Sequence, residues 1–136
     1  MANASDPSES TAQAVTQLRA FLPSKDFRAS CSFYLELGFE QVFDGEIAIF
    51  RADGFEFIVN TFYDQVYAEN CMMQLVVRDL AAWWTRIDVE HLTETYSVRP
   101  PIAPALQPWG LEVGYLFDPC GVLWHVTQEA TLNEDP

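Results

Sequence analysis

The residues able to do chemistry are few and scattered. The chain of 136 residues has two histidines, His91 and His125, and three cysteines, Cys31, Cys71 and Cys120. No two cysteines form a C-x-x-C pair and their number is odd. They read as buried thiols in a reducing compartment rather than as a disulfide framework or a zinc site. No Ser or Cys occupies a nucleophile elbow, and glycine-rich phosphate or dinucleotide loops are absent. Glu56 and Glu112 fall on predicted strands and are the only carboxylates nominated as a base, with solvated strand-face charges as the alternative. Binding chemistry is better supplied. Aromatic residues make up 14% of the chain, enough to ask what they stack against. Twenty acidic residues against seven basic ones give a net charge of -13, which repels nucleic-acid phosphates and anionic membranes and favours a cationic ligand. The same charge also aids solubility. No nucleic-acid or membrane partner is expected. With no apolar signal-peptide core or membrane-length run, a cytoplasmic location is expected.

The elements that must position these residues are organised around residues 21–40, FLPSKDFRASCSFYLELGFE. Asp26 is a good helix N-cap, apolar residues from Phe27 to Leu37 recur at helical spacing, and Gly38 suits the stop. Residues 77–84 repeat the plan: an apolar run, Arg78, Asp79 and an amphipathic helix. The first unit is expected to run as a strand near 15–22, the helix, and strands near 39–43, 46–51 and 55–62. Asp44-Gly45 and Asp53-Gly54 mark the tight turns. Residues 63–70 read as a polar connector. The second unit is expected as a strand at 72–77, a helix over 80–89, a short strand at 95–98, and strands near 112–117 and 122–128. Residues 99–110 contain four prolines and read as a long loop. On the last strand, alternation turns Leu123, His125 and Thr127 away from the helices, where His125 either contacts ligand or makes a structural hydrogen bond. Of the paired Trp83 and Trp84, one is expected on the sheet and the other in the core or at a subunit interface.

The duplicated βαβββ plan, with the segment at 21–40 and FDPCGVLWHVTQ closing the second unit, resembles the vicinal-oxygen-chelate (glyoxalase-like) superfamily. The run DQV-x-x-x-N at 64–70, the pair Val77-Arg78, and Gln107-Pro108-Trp109-Gly110 before Asp118-Pro119 are similar, in order, to its bleomycin-resistance branch. The resemblance implies an α+β fold of two modules, about 15–62 and 71–129. They lie within a single domain at 15–130, between a flexible N-terminal tail at 1–14 and a C-terminal tail at 131–136. It also implies a homodimer in which units from different subunits build a crevice that sequesters a flat, cationic antibiotic. The ligand-facing set it implies is Trp109, Asn60, His125, Phe43, Ile47 and Tyr115. Trp109 would stack, with anchoring of its loop as the alternative; Asn60 and His125 would supply polar contacts; Phe43 matches a further aromatic position or is plain core. Ile47 and Gln74 stand where drug-binding relatives carry aromatics. Two stacking surfaces fewer, each worth about 1 kcal/mol, imply binding roughly tenfold weaker or more. Enzymes of the superfamily hold a divalent metal, but the positions of its first ligands are Arg19 and Met72, which cannot serve. His125, with Glu56 or Asn60, leaves the set incomplete. No metal, cofactor or catalytic residue is expected, with a glyoxalase-like lyase or isomerase as the alternative.

Overall fold

Aspartates start the helices. Asp26 accepts a hydrogen bond from Ala29 N and opens α1 (Phe27–Leu37), which ends at Gly38 in the left-handed region at φ 111. Asp79 accepts from Ala82 N and opens the equivalent α3 (Leu80–Arg86). Asp64 and Asp88 do the same for α2 (Gln65–Asn70) and α4 (Val89–Tyr96). Four of the twenty acidic residues are thus spent where free N–H groups and the helix dipole favour negative charge.

The computed structural model describes residues 10–130. The expected tails lie outside the described residues at 1–9 and 131–136, and residues 11–14 form an exposed turn. In the first module β1 (Phe21–Leu22), β2 (Glu40–Asp44), β3 (Ala48–Ala52) and β4 (Phe55–Val59) form a sheet of order β1-β4-β3-β2, with β1 parallel to β4. In the second, β5 (Met72–Val77), β6 (Ile102–Leu106), β7 (Glu112–Phe117) and β8 (Leu123–Gln128) form the order β5-β8-β7-β6, with β5 parallel to β8. The order is the same one twice, so the fold is α+β with two βαβββ modules, the second carrying two helices.

Four expectations are corrected. The first strand is Phe21–Leu22 rather than 15–22: β4 begins at Phe55, and the parallel register of Phe21 with Ile58 leaves nothing for residues 15–17 to pair with. The connector at 63–70 contains α2, nucleated by Asp64. The short strand at 95–98 does not form, because Thr95 and Tyr96 end α4. Within 99–110 lies β6, which tolerates Pro104 because it is an edge strand with a register shift between Ile102 and Ala105.

The helix-side faces of the two sheets share one core. Trp124 of β8 lies 5.3 Å from the Phe57 ring of β4 and 5.7 Å from those of Tyr34 and Phe39. Trp84 packs on the β7 backbone, where a Cβ on Gly114 would stand 2.5 Å from the indole. Its neighbour Trp83 is buried in the core that both modules share. At the centre the Tyr34 hydroxyl donates to Asp118 Oδ2 (2.6 Å) and accepts from Trp124 Nε1 (3.0 Å). Asp118 Oδ1 accepts from the backbone N–H groups of Cys120 and Val122, both at 2.9 Å. Burial pushes the Asp118 carboxyl above its usual range, against the lowering effect of the donors from Tyr34, Val122 and Cys120. Burial, followed by the Asp118 charge, raises the Tyr34 hydroxyl well above its own.

One hydroxyl therefore satisfies two buried polar groups on the opposite module. Tyr34→Phe is expected to cost about 1–3 kcal/mol, the penalty for buried groups left without a partner. A urea titration checks this; an unchanged midpoint would mean that the network contributes nothing to stability.

Candidate functional site

Each sheet turns one face to the shared core and one away from it, because strand side chains alternate. On the outer face of the first sheet, cross-strand pairing lines up Phe21, Ile58, Ile49 and Phe43, one residue from each strand. The equivalent row of the second sheet is Gln74, His125, Tyr115 and Ile102. The first row is wholly apolar and the second mixes amide, imidazole, phenol and aliphatic groups. The His125 and Tyr115 rings meet edge to face, 4.8 Å apart.

The six sequence candidates fall into two sets. Phe43, Ile47 and Asn60 belong to the first module. Phe43 is 49% exposed, so it is not core, and its ring lies over Gly45, where a Cβ would stand 2.9 Å from it. Ile47 is half-buried just before β3. Asn60 follows β4 and is partly committed: its Oδ1 accepts from Phe62 N (3.1 Å) and its carbonyl from Ser24 Oγ. His125, Tyr115 and Trp109 belong to the second module. Trp109 sits at the tip of the β6–β7 hairpin, a turn closed by Gln107 N to Leu111 O (2.8 Å) and Gly110 N to Gln107 O (2.9 Å). At 60% exposure its indole is open to solvent rather than anchoring the turn to the core. The two sets stand on the outer faces of sheets whose inner faces share a core, so one chain does not bring them together. A cleft of about 840 Å3 opens elsewhere, between the β4 and β5 edges, and none of the six lines it.

The sequence reading missed a charged cluster in the next row of the first sheet. Arg19 Nε and Nη2 reach Glu56 Oε1 at 2.7 and 2.6 Å, and Arg51 Nε and Nη2 reach Oε2 at 2.8 and 2.7 Å. The Glu56 side chain is 3% exposed. A signal existed, since the Asp53-Gly54 turn makes Arg51 and Glu56 cross-strand neighbours. The hydrogen bonds from Arg51, then Arg19, hold the Glu56 carboxyl below its ordinary range. A divalent ion would have to displace both guanidiniums to use this carboxylate, and among the described residues no three His, Cys, Asp or Glu side chains converge. The donor set therefore does not fit the metal centre of the superfamily's enzymes. His91, outside this face, binds Glu36 through Nε2 (2.9 Å) and, with the Tyr96 hydroxyl on the same carboxylate, ties α4 to α1.

Known proteins share this architecture, although no family model matches the chain. It is similar to a bleomycin resistance protein of Klebsiella pneumoniae, 35% identical over 116 residues, covering 82% of this chain and 90% of that protein. Among solved structures, it resembles a bleomycin-binding protein complexed with bleomycin (26% identity, TM-score 0.66, covering 85% of this chain and all of that one). It is equally close to the bleomycin resistance determinant encoded on transposon Tn5 (26% identity, TM-score 0.66, covering 86% of this chain and all of that one).

The sign of the Glu56 shift gives a test of the cluster. A carboxyl with a depressed folded pKa contributes stability that is fully present above its unfolded value, near 4.5, and lost as pH falls through the folded one. The melting temperature of Glu56→Gln should lie below that of the wild type at neutral pH, with the gap closing below about pH 4.5. A gap that stays constant into acid would show that the pairing is absent in solution.

Proposed function

Because the chain belongs to the bleomycin resistance protein family, we propose that it confers resistance by binding a bleomycin-type antibiotic and withholding it from its target, with no chemical step. The 35% identity across 90% of the Klebsiella protein carries this reading. The separation of the candidate residues supports its second part, a homodimer. If the outer face of the first module in one copy meets that of the second module in another, Phe43, Ile47 and Asn60 come opposite His125, Tyr115 and Trp109. Two-fold symmetry then builds that crevice twice. The flat part of the drug lies on the apolar row of the first module and stacks on Trp109, which is presented on a hydrogen-bonded hairpin tip. The net charge of -13 draws a cationic drug toward the crevice at long range. Ile47 and Gln74 supply no ring, so Trp109 carries a larger share of the stacking than it would in a crevice with more aromatics. No helix among the described residues is long and apolar enough to cross a membrane. In this reading the protein acts in the cytoplasm, between the drug's entry and its target.

The test is a tryptophan-fluorescence titration with metal-free and copper-loaded bleomycin, using an inert copper complex as the quenching control. Saturable binding that weakens with added salt is expected. Trp109→Ala should weaken it roughly fivefold to tenfold, the equivalent of about 1 kcal/mol of stacking, without lowering the melting temperature. Absence of saturation at high drug concentration would remove bleomycin as the ligand.

A further inference from the structure

We infer that Gln74, His125 and Tyr115 form a hydrogen-bonding subsite on the outer face of the second module, which reads an uncharged arm of the bound molecule carrying amide or hydroxyl groups. The inference rests on the proposed function, which places this face inside the crevice. The three residues stand side by side on β5, β8 and β7. None of their side chains makes a hydrogen bond among the described residues, where the one buried side-chain polar atom without a partner is Ser30 Oγ. The imidazole and the phenol are thus half-buried with their polar atoms still open. The edge of one ring against the face of the other, 75° between planes, limits how either can turn.

The rows on either side are different in kind. One consists of Met72, Leu123 and Phe117. The other is Val76, Thr127 and Val113, with the Thr127 hydroxyl already donated to Glu112 O (2.8 Å). Closing a crevice over this face strips water from the middle row, and its apolar neighbours cannot replace the lost hydrogen bonds. The ligand must supply them. Charge decides which part of the ligand does so. Arg99 sets its guanidinium over the Phe117 ring, 4.3 Å from the centroid and one row away from Tyr115. That positive charge turns the cationic end of a drug toward the other module and leaves this row to an uncharged part. Amide, neutral imidazole and phenol can each donate and accept. Neighbouring strands lie about 4.8 Å apart, so the three groups span about 10 Å. A run of several amides or hydroxyls matches that span, and a bare fused-ring cation does not. Sites built to hydrogen-bond a ligand discriminate strongly against molecules that lack the groups. Gln74, which supplies no ring, thereby makes the face more selective where it makes it less sticky.

The experiment is isothermal titration calorimetry on the full-length protein with two probes: metal-free bleomycin, and ethidium, a flat cation with no amide or hydroxyl group. Wild type is compared with Gln74→Leu and Tyr115→Phe, and each melting temperature is measured. Both substitutions should weaken bleomycin roughly fivefold or more, leave ethidium within about twofold, and leave the melting temperature unchanged. Tight bleomycin binding beside absent ethidium binding also supports the subsite, provided both variants weaken the former. Equal losses for the two probes would show that the row acts by shape alone and would overturn the subsite. Unchanged bleomycin binding in both variants removes the subsite and leaves the sequestering function standing. Saturation by ethidium but not by bleomycin removes the subsite and bleomycin as the ligand, and binding of neither removes the subsite together with the sequestering function.

Discussion

The hydroxyl of Tyr34 holds the two halves of the molecule in one arrangement. It comes from α1 of the first module and closes hydrogen bonds with Asp118 and Trp124, both of the second. Each partner is almost fully buried, so neither finds water as a substitute. The apolar burial around it is non-directional, whereas three polar groups in fixed geometry specify one register. Strand pairing aligns each outer row within its own sheet, and the Tyr34 contacts fix how one sheet lies against the other.

The acidity of the chain has more than one origin. Asp26, Asp64, Asp79 and Asp88 serve as helix caps, Asp118 is locked in the core, and Glu36 receives Tyr96 and His91. Glu56 is neutralised by its arginines. These seven residues have local duties that explain them without a ligand. The rest give the long-range field its sign.

What could be read from the sequence follows from how local each signal is. Asp26 and Gly38 bracket α1 because capping depends on a few adjacent residues, and Asp79 marks α3 for the same reason. The inward and outward alternation of β8 was legible because a strand has a fixed period of two. Helix α4 was not, although Val89, Leu92 and Tyr96 have helical spacing; its threonines and Tyr96 favour extended structure, and the shared core overrode that preference. The prolines of 99–110 hid β6, since only the sheet order shows that Pro104 sits on an edge. Arg19 and Glu56 are 37 residues apart, and no local pattern joins them. The exposure of Phe43 and Trp109 is likewise a property of the assembled sheets rather than of their own segments.

Alternation along the strands also separates what holds the protein together from what it meets. Residues at the exposed positions of the outer rows, such as Gln74, Phe43 and Ile102, are not members of the shared core. Substitutions there fall in the range typical of surface sites, within about 0.5 kcal/mol. Under changing drug exposure, such positions can drift one mutation at a time while the duplicated scaffold stays intact. A gene carrying this fold can therefore spread its ligand range across a population faster than it loses foldable copies.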